Sequence, residues 1–222
     1  MEASTGTIVA IIDAFQKGGP FMYPIAVAMA FATALILERW SRLSKYSIGS
    51  AESFMVEVQK HILANDIDGA IRVCDGANSA VLANVLKAGL KRSSGNESQI
   101  QNAIDAASLG AVPKLEKRLS YLATIANIST LLGLLGTITG LIRSFSAIAL
   151  ADAAQRQAIL ASGISEAMNC TAFGLIVAII AMIMHSILTN KATKLTEEID
   201  EYGVKLLDLL LTRRYQHSSE KI

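Results

Sequence analysis

Charge is scarce in this chain and nearly balanced, which removes several functions at once. Of 222 residues, 18% are Asp, Glu, Lys or Arg, and the formal net charge is +1. A nucleic-acid binder needs a basic face that neutralises phosphates and releases counterions, and no such surplus is present. Cysteine is almost missing: Cys74 and Cys170 stand far apart, and Cys170 lies in an apolar run. That spacing suggests neither a disulfide framework nor a metal knot, so both read as small buried hydrophobes. Alternating strand patterns, internal repeats and low-complexity linkers are also lacking. The clustered acids Glu197, Glu198, Asp200 and Glu201 sit beside Lys191, Lys194 and Lys205 as a solvated helix face, with no nucleophile–base pair or phosphate loop nearby. An enzyme is not expected. Glu2 and Asp13 stand where a secretory signal would be basic, so a signal peptide is not expected either.

What is present is apolar surface. Hydrophobic residues make up 52% of the chain, and the mean hydropathy is +0.42, both above the soluble norm. A helix crosses a bilayer with about 20 residues, and three windows qualify. The first, 18–40, runs uncharged to Leu37 and closes on Glu38, Arg39 and Trp40, an interfacial anchor. The second, 119–145, is uncharged to Ile142 and meets Arg143. The third, 163–190, carries Glu166 near its start and His185 near its end. The expected fold class is therefore all-α: a polytopic membrane protein with three transmembrane helices, whose long helices extend into a cytoplasmic helical subdomain.

Lys and Arg near the span ends set the expected orientation. One side collects Arg39, Arg42, Lys45, Lys114, Lys117, Arg118, Lys191 and Lys194, and the other holds Lys17, Arg143 and Arg156. Residues 1–17 then lie outside as an interfacial helix, with Ile8, Ile11, Ile12 and Phe15 on one face. Residues 146–162 form an external loop, and 41–118 and 191–222 are cytoplasmic, the latter as a C-terminal helix. Within 41–118, periodicity and turn residues predict helices over 51–64, 67–74 and 80–91, then a long helix from Glu97 that runs towards the second span. Pro113 is expected to kink or split that last helix.

The spans carry polar and small residues with more than one reading. Gly136 and Gly140 form the small-xxx-small spacing that lets helix backbones approach, with Gly133 one turn before. Asn127, Thr130, Thr137 and Ser144 fall within about one third of the helix circumference. Such a stripe lines water, or bonds to its own backbone, or meets a neighbouring helix. Glu166 in a span marks function by default, or rests at the interface near a helix N-terminus. Thr171 lies about 140° around the helix from Glu166, so one helix cannot aim both at the same point. Thr171, with Gly174 on its face, would line a pore while Glu166 governs the mouth. His185 reads as a capped or interfacial histidine.

These residues also carry a resemblance. The run Leu132-Gly133-Leu134-Leu135-Gly136-Thr137-Ile138-Thr139-Gly140, followed by Phe145, resembles the second-span signature of the MotA/TolQ/ExbB proton-channel family. Gly163-Ile164-Ser165-Glu166-Ala167-Met168 and Thr171-Ala172-Phe173-Gly174-Leu175 are similar to its third-span signature, and Gly18 through Arg39 resembles the first span of the ExbB/TolQ-like branch. The resemblance implies a homopentamer in a bacterial inner membrane, N-terminus periplasmic and C-terminus cytoplasmic. The ring would surround a dimer of a single-span ExbD/TolR/MotB-like protein that carries an intramembrane aspartate. Thr137 and Thr171 would line the ion pathway, Glu166 would be the functional acid, and Gly133, Gly136, Gly140 and Gly174 would pack the helices. Asn127, Thr130, Ser144 and Asn169 are candidates for further polar lining. No cofactor or metal is implied. The coupling ion would be the proton, with sodium as the alternative because Thr130 adds a hydroxyl where relatives often have proline. Nutrient import, envelope maintenance and gliding are all compatible outputs. A passive membrane scaffold or a solute transporter subunit is the competing reading.

Overall fold

The computed structural model describes residues 15, 17–77 and 79–219, with side chains through 214. The interfacial helix expected over 1–17 falls almost wholly outside the described residues. Among the described residues, seven helices follow in order: α1 (Met22–Tyr46), α2 (Ala51–Leu63), α3 (Ile67–Gly76), α4 (Val81–Leu90), α5 (Glu97–Glu116), α6 (Leu119–Leu150) and α7 (Arg156–Ser219). No strand occurs among the described residues. Three helical stretches are long and apolar enough to cross a membrane, within Met22–Leu63, Glu97–Leu150 and Arg156–Arg214. The chain divides into two compact units, one of residues 1–37 and 118–186, the other of 38–117 and 187–222.

The first unit holds the expected spans. On α6 the buried positions are Leu119, Leu122, Ala126, Ser129, Gly133, Gly136, Gly140 and Ser144, a three-and-four spacing that keeps one narrow face towards α7. Large apolar side chains on the other faces stay open to the surroundings, among them Phe31, Leu131, Ile142, Met168 and Ile179. An isolated soluble chain would not tolerate that exposure, whereas lipid or neighbouring helices accept it. Met22 and Ile25 of α1 join Cys170 and Val177 of α7 in one buried cluster, flanked by Phe15, Phe21, Leu132 and Phe173. Phe15 meets Phe173 edge-on, ring centres 6.0 Å apart, the arrangement that the aromatic quadrupole favours.

The second unit is built like a soluble domain. Helix starts are capped by short polar side chains: Ser50 accepts from the Ser53 amide at 3.3 Å, and Asp66 accepts from the Gly69 amide at 2.8 Å. Asn96 and Gln99 close a reciprocal capping box. Each such cap is worth about 1 kcal/mol because it satisfies an amide that has no intrahelical partner. The helices then bury full-sized apolar residues, including Ile62, Leu86, Leu90, Ile100, Leu115, Ile199 and Leu206, each contributing roughly 1.5–3 kcal/mol. Ile104 of α5 meets both Gly89 of α4 and Gly203 of α7. At the far end of α7, Arg214 donates to the carbonyls of Ser93 and Gly95, and Arg213 to the Asn65 side chain. Cys74 is buried here and, first by burial and then by the neighbouring Asp75, its thiol is pushed up to about 11, which leaves it an inert hydrophobe.

Two boundaries differ from the sequence reading. The long helix passes through Pro113 for one further turn and is interrupted instead at Lys117 and Arg118, where Arg118 takes a left-handed φ of 64°. Proline forfeits one hydrogen bond, to the carbonyl four residues back, and one turn of helix survives that loss. The loop between the second and third spans, expected over 146–162, shrinks to residues 151–155, because α6 continues to Leu150 and α7 begins at Arg156. Ser146–Leu150 and Gln157–Ser162 contain no proline or glycine to stop a helix.

Candidate functional site

The crossing of α6 and α7 is set by absent side chains. A Cβ on Gly174 would meet the Ser129 carbonyl oxygen at 2.7 Å and the Gly133 Cα at 3.0 Å; a Cβ on Gly140 would touch Ala167 at 3.4 Å. Gly136 faces the Cys170 side chain, with Phe21, just before α1, also within reach. The four glycines predicted to pack helices therefore all lie on the seam, where backbone meets backbone. That closeness allows a hydrogen bond between the spans: Thr171 Oγ1 donates to the Gly133 carbonyl oxygen at 3.2 Å. A helix carbonyl has a second lone pair to accept it.

Thr137 follows Gly136 by one residue and so sits about 100° off the seam, half-buried. Its hydroxyl donates to the Leu134 carbonyl at 2.6 Å. Each predicted pathway threonine has thus committed its O–H to a backbone carbonyl and presents oxygen lone pairs to whatever approaches. Asn127 and Thr130 occupy the same exposed face, and Thr130 likewise donates to its own helix, at the Ala126 carbonyl. Asn169 is half-buried on α7.

Ser144, grouped with this stripe by sequence, is placed elsewhere. It is buried, donates to the Gly140 carbonyl at 2.9 Å, and fills the space opposite Gly163. It belongs to the seam between the spans, and does not share the exposed face of Asn127, Thr130 and Thr137. On the helical wheel Ser144 lies only about 20° from Thr137; what closes over Ser144 is Gly163 of α7, whose missing side chain leaves room for its hydroxyl. Ser129, buried on the same seam, was not singled out by sequence reasoning because it shares no stripe with the other hydroxyls.

Glu166 lies apart from the threonines. Its carboxylate accepts from Arg143 Nη1 at 3.2 Å and fits against Gly19, whose φ of +75° and missing side chain leave room for it. Around the pair is a polar cavity of about 570 Å³, reached by Lys17, Pro20, Ser162 and Ser165 as well. Arg143 is the ion-pair partner that sequence reading missed: it was taken as the end of a span. The available signal was the tight hairpin, since two antiparallel helices joined by a short turn bring residues near their facing ends together. Arg143 and Glu166 are both near that turn, and a single Glu otherwise exposed in an apolar span needs such a cation.

Among the described residues no group of three or more His, Cys, Asp or Glu side chains is arranged to hold a metal. The site's chemistry is that of hydrogen-bond acceptors along a helix face and one ion pair near the turn between α6 and α7. Comparison with known proteins agrees with the signatures. The MotA/TolQ/ExbB proton channel family matches residues 77–201. The chain is 30% identical over 203 residues to biopolymer transport protein ExbB-like 1 of Synechocystis sp., covering 88% of this chain and 77% of that one. It is 36% identical over 95 residues to the Tol-Pal system protein TolQ of Haemophilus influenzae, 41% of each chain. Biopolymer transport protein ExbB of Salmonella typhimurium is 36% identical over 87 residues, 39% of this chain and 35% of that one. With its signature glycines, threonines and glutamate on two apolar helices, and more than half of its length matched, this chain belongs to the MotA/TolQ/ExbB proton channel family.

Proposed function

We propose that the chain is the ring-forming channel and stator subunit of an ion-driven motor in a bacterial inner membrane, with the N-terminus periplasmic and the C-terminus cytoplasmic. Five copies surround the spans of two copies of a single-span ExbD/TolR/MotB-like partner, and proton flow is converted into work on the cell envelope. The observation that carries this reading is the state of Thr137 and Thr171. Both hydroxyl protons are held by backbone carbonyls of the chain itself, so both side chains offer only acceptor lone pairs. Such a lining suits a group that arrives bearing a proton, as a protonated carboxyl does. No carboxylate of the chain lies between Glu166, near one end of the third span, and Glu197, beyond the other. The proton carrier therefore comes from the partner, as an aspartate within the membrane. One charge crossing 100 mV releases about 2.3 kcal/mol, enough to bias a two-state arrangement of partner against ring.

Glu166 acts at the mouth. Its ion pair with Arg143 fixes it where the two spans come together, ready to exchange that cation for an incoming proton donor. The test is co-expression with the single-span partner, purification of the complex, and measurement of proton influx into vesicles under an imposed gradient. Thr137→Val, Thr171→Val and Glu166→Ala should each lower influx tenfold or more while leaving the ring assembled. Wild-type influx in all three variants, or a ring with an empty centre, would overturn the assignment.

A further inference from the structure

In the second unit, a cavity of about 470 Å³ opens between the end of α1, the start of α4 and the last turns of α5. Its polar lining is Lys45, Tyr46, Ser79, Asn84 and Lys114, and no carboxylate is among the described residues that line it. Every one of these side chains can donate a hydrogen bond, and two are cations. Two lysines facing one hollow repel each other unless an anion lies between them.

Gly110 lines the same cavity. It stands in the interior of α5, where glycine costs about 1 kcal/mol relative to alanine, yet a Cβ there would meet nothing within 4 Å. Its φ lies outside the left-handed region as well, since among the described residues the positive-φ glycines are Gly19 and Gly49. Neither a turn nor a neighbouring atom of the chain therefore demands glycine. The position opens instead into the cavity that the two lysines line.

The position of the lysines fixes the kind of anion. Lys45 lies five residues past the end of the first span at residue 40, and Lys114 five residues before the second begins at Leu119. Five helical residues cover about 7.5 Å, and the headgroup layer outside the hydrocarbon core is about 5–8 Å deep on each side. Lys45, on the unbroken helix α1, is thus at headgroup depth; Lys114, which the break at Lys117 and Arg118 separates from the second span, shares its cavity, and Val81, Val85 and Ala111 supply an apolar wall beside them. Basic pockets next to membrane helices capture lipid phosphates in this way.

We propose that this cavity is a phosphate-binding site that holds the headgroup of an anionic phospholipid. Lys45 and Lys114 contact the phosphate, the Tyr46 and Ser79 hydroxyls donate to it, and the Gly110 backbone gives it room. The lipid would come from the leaflet next to the helical subdomain.

The full-length chain, purified in detergent and stripped of lipid, is titrated with dioctanoyl phosphatidylglycerol, with uncharged dioctanoylglycerol, and with inorganic phosphate, and bound ligand is counted by native mass spectrometry. Wild type should bind the phosphatidylglycerol and ignore the dioctanoylglycerol. Gly110→Leu, which fills the hollow, and the double variant Lys45→Gln/Lys114→Gln should each weaken binding at least tenfold. Gly110→Leu should melt no lower than wild type, so that its loss of lipid reports occupancy and not unfolding; if it melts lower, the lysine pair decides. Equal affinity in wild type and the lysine variant, or equal binding of the uncharged diacylglycerol, overturns the site. Inorganic phosphate that binds alone and as tightly, with the same variant pattern, upholds the phosphate site and assigns it to a soluble ligand in place of a lipid.

Discussion

Where the span unit brings α6 against α7 it places Gly133, Gly136, Gly140 and Gly174 at the contact, while the helical subdomain joins its helices through Ile62, Leu86, Ile100 and Leu206. The difference follows from the solvent each region faces. In water, burying a large aliphatic side chain is favourable in itself, so the subdomain gains most by covering Leu and Ile. In lipid that gain vanishes, because the tails are as apolar as leucine, and association rests on close backbone contact and interhelical hydrogen bonds. The Thr171 donation to the Gly133 carbonyl is one such bond, available only because neither glycine holds the helices apart.

The comparison breaks most visibly if a subdomain residue is truncated. Leu86 is fully buried on α4, so Leu86→Ala removes transferred surface and leaves a cavity, at a cost of about 2–5 kcal/mol. Thermal unfolding of the purified chain in detergent should show a clearly lowered transition for the subdomain. An unchanged transition would mean that the helices of this unit are not held by apolar burial.

Adding one methyl group should have opposite effects in the two regions. Gly174→Ala pushes a carbon into the Ser129 carbonyl and the Gly133 Cα, so the two backbones must separate, at about 1–3 kcal/mol. The Thr171 bond to Gly133 is stretched at the same time, and gradient-driven influx should fall with the melting temperature. Gly110→Ala meets nothing within 4 Å and should stabilise α5 by about 0.5–1 kcal/mol. The two variants measured side by side by calorimetry should differ in sign. A shared sign would show that helix propensity alone, and not contact distance, governs both positions.

Much of this division was legible before any coordinates. The glycine spacing and the uncharged windows announced the spans, and the four-residue spacing of Phe54, Val58 and Ile62 announced α2. The subdomain helices begin and end within a residue or two of their turn signals, because Asp66 and Asn96 cap by local chemistry that sequence displays directly. What sequence hid was each fact that depends on the opposite helix. Ser144 looked like a member of the open stripe because nothing in α6 reveals that Gly163 faces it. Arg143 looked like a span terminus because its carboxylate is 23 residues away across a hairpin. Pro113 drew attention as a breaker, yet the interruption falls at Lys117 and Arg118, residues with no intrinsic signal for a left-handed turn.

The smallest expected effect sharpens the contrast from the subdomain side, through a cap that titrates. Asp66 accepts from the Gly69 amide at 2.8 Å, and it faces His61 Nδ1 at 3.3 Å and Arg72 at 3.5 Å. The Gly69 hydrogen bond first, opposed next by desolvation and reinforced by His61 and Arg72, holds its carboxyl below the usual carboxylate range. A carboxyl with a depressed value in the folded chain binds protons less readily folded than unfolded. Its stabilising contribution is therefore present above the ordinary carboxylate value, near pH 4, and is lost as pH falls through the lower folded value. Asp66→Asn keeps a capping oxygen but cannot titrate. The melting temperature of wild type should exceed that of Asp66→Asn slightly at pH 6, and the gap should close as the buffer is taken below pH 4. The span seam offers no comparable acid-sensitive cap, so Gly174→Ala and wild type should keep a constant gap over the same range. A gap for Asp66→Asn that stays constant with pH would mean that the cap acts through its oxygen alone, with the charge adding nothing.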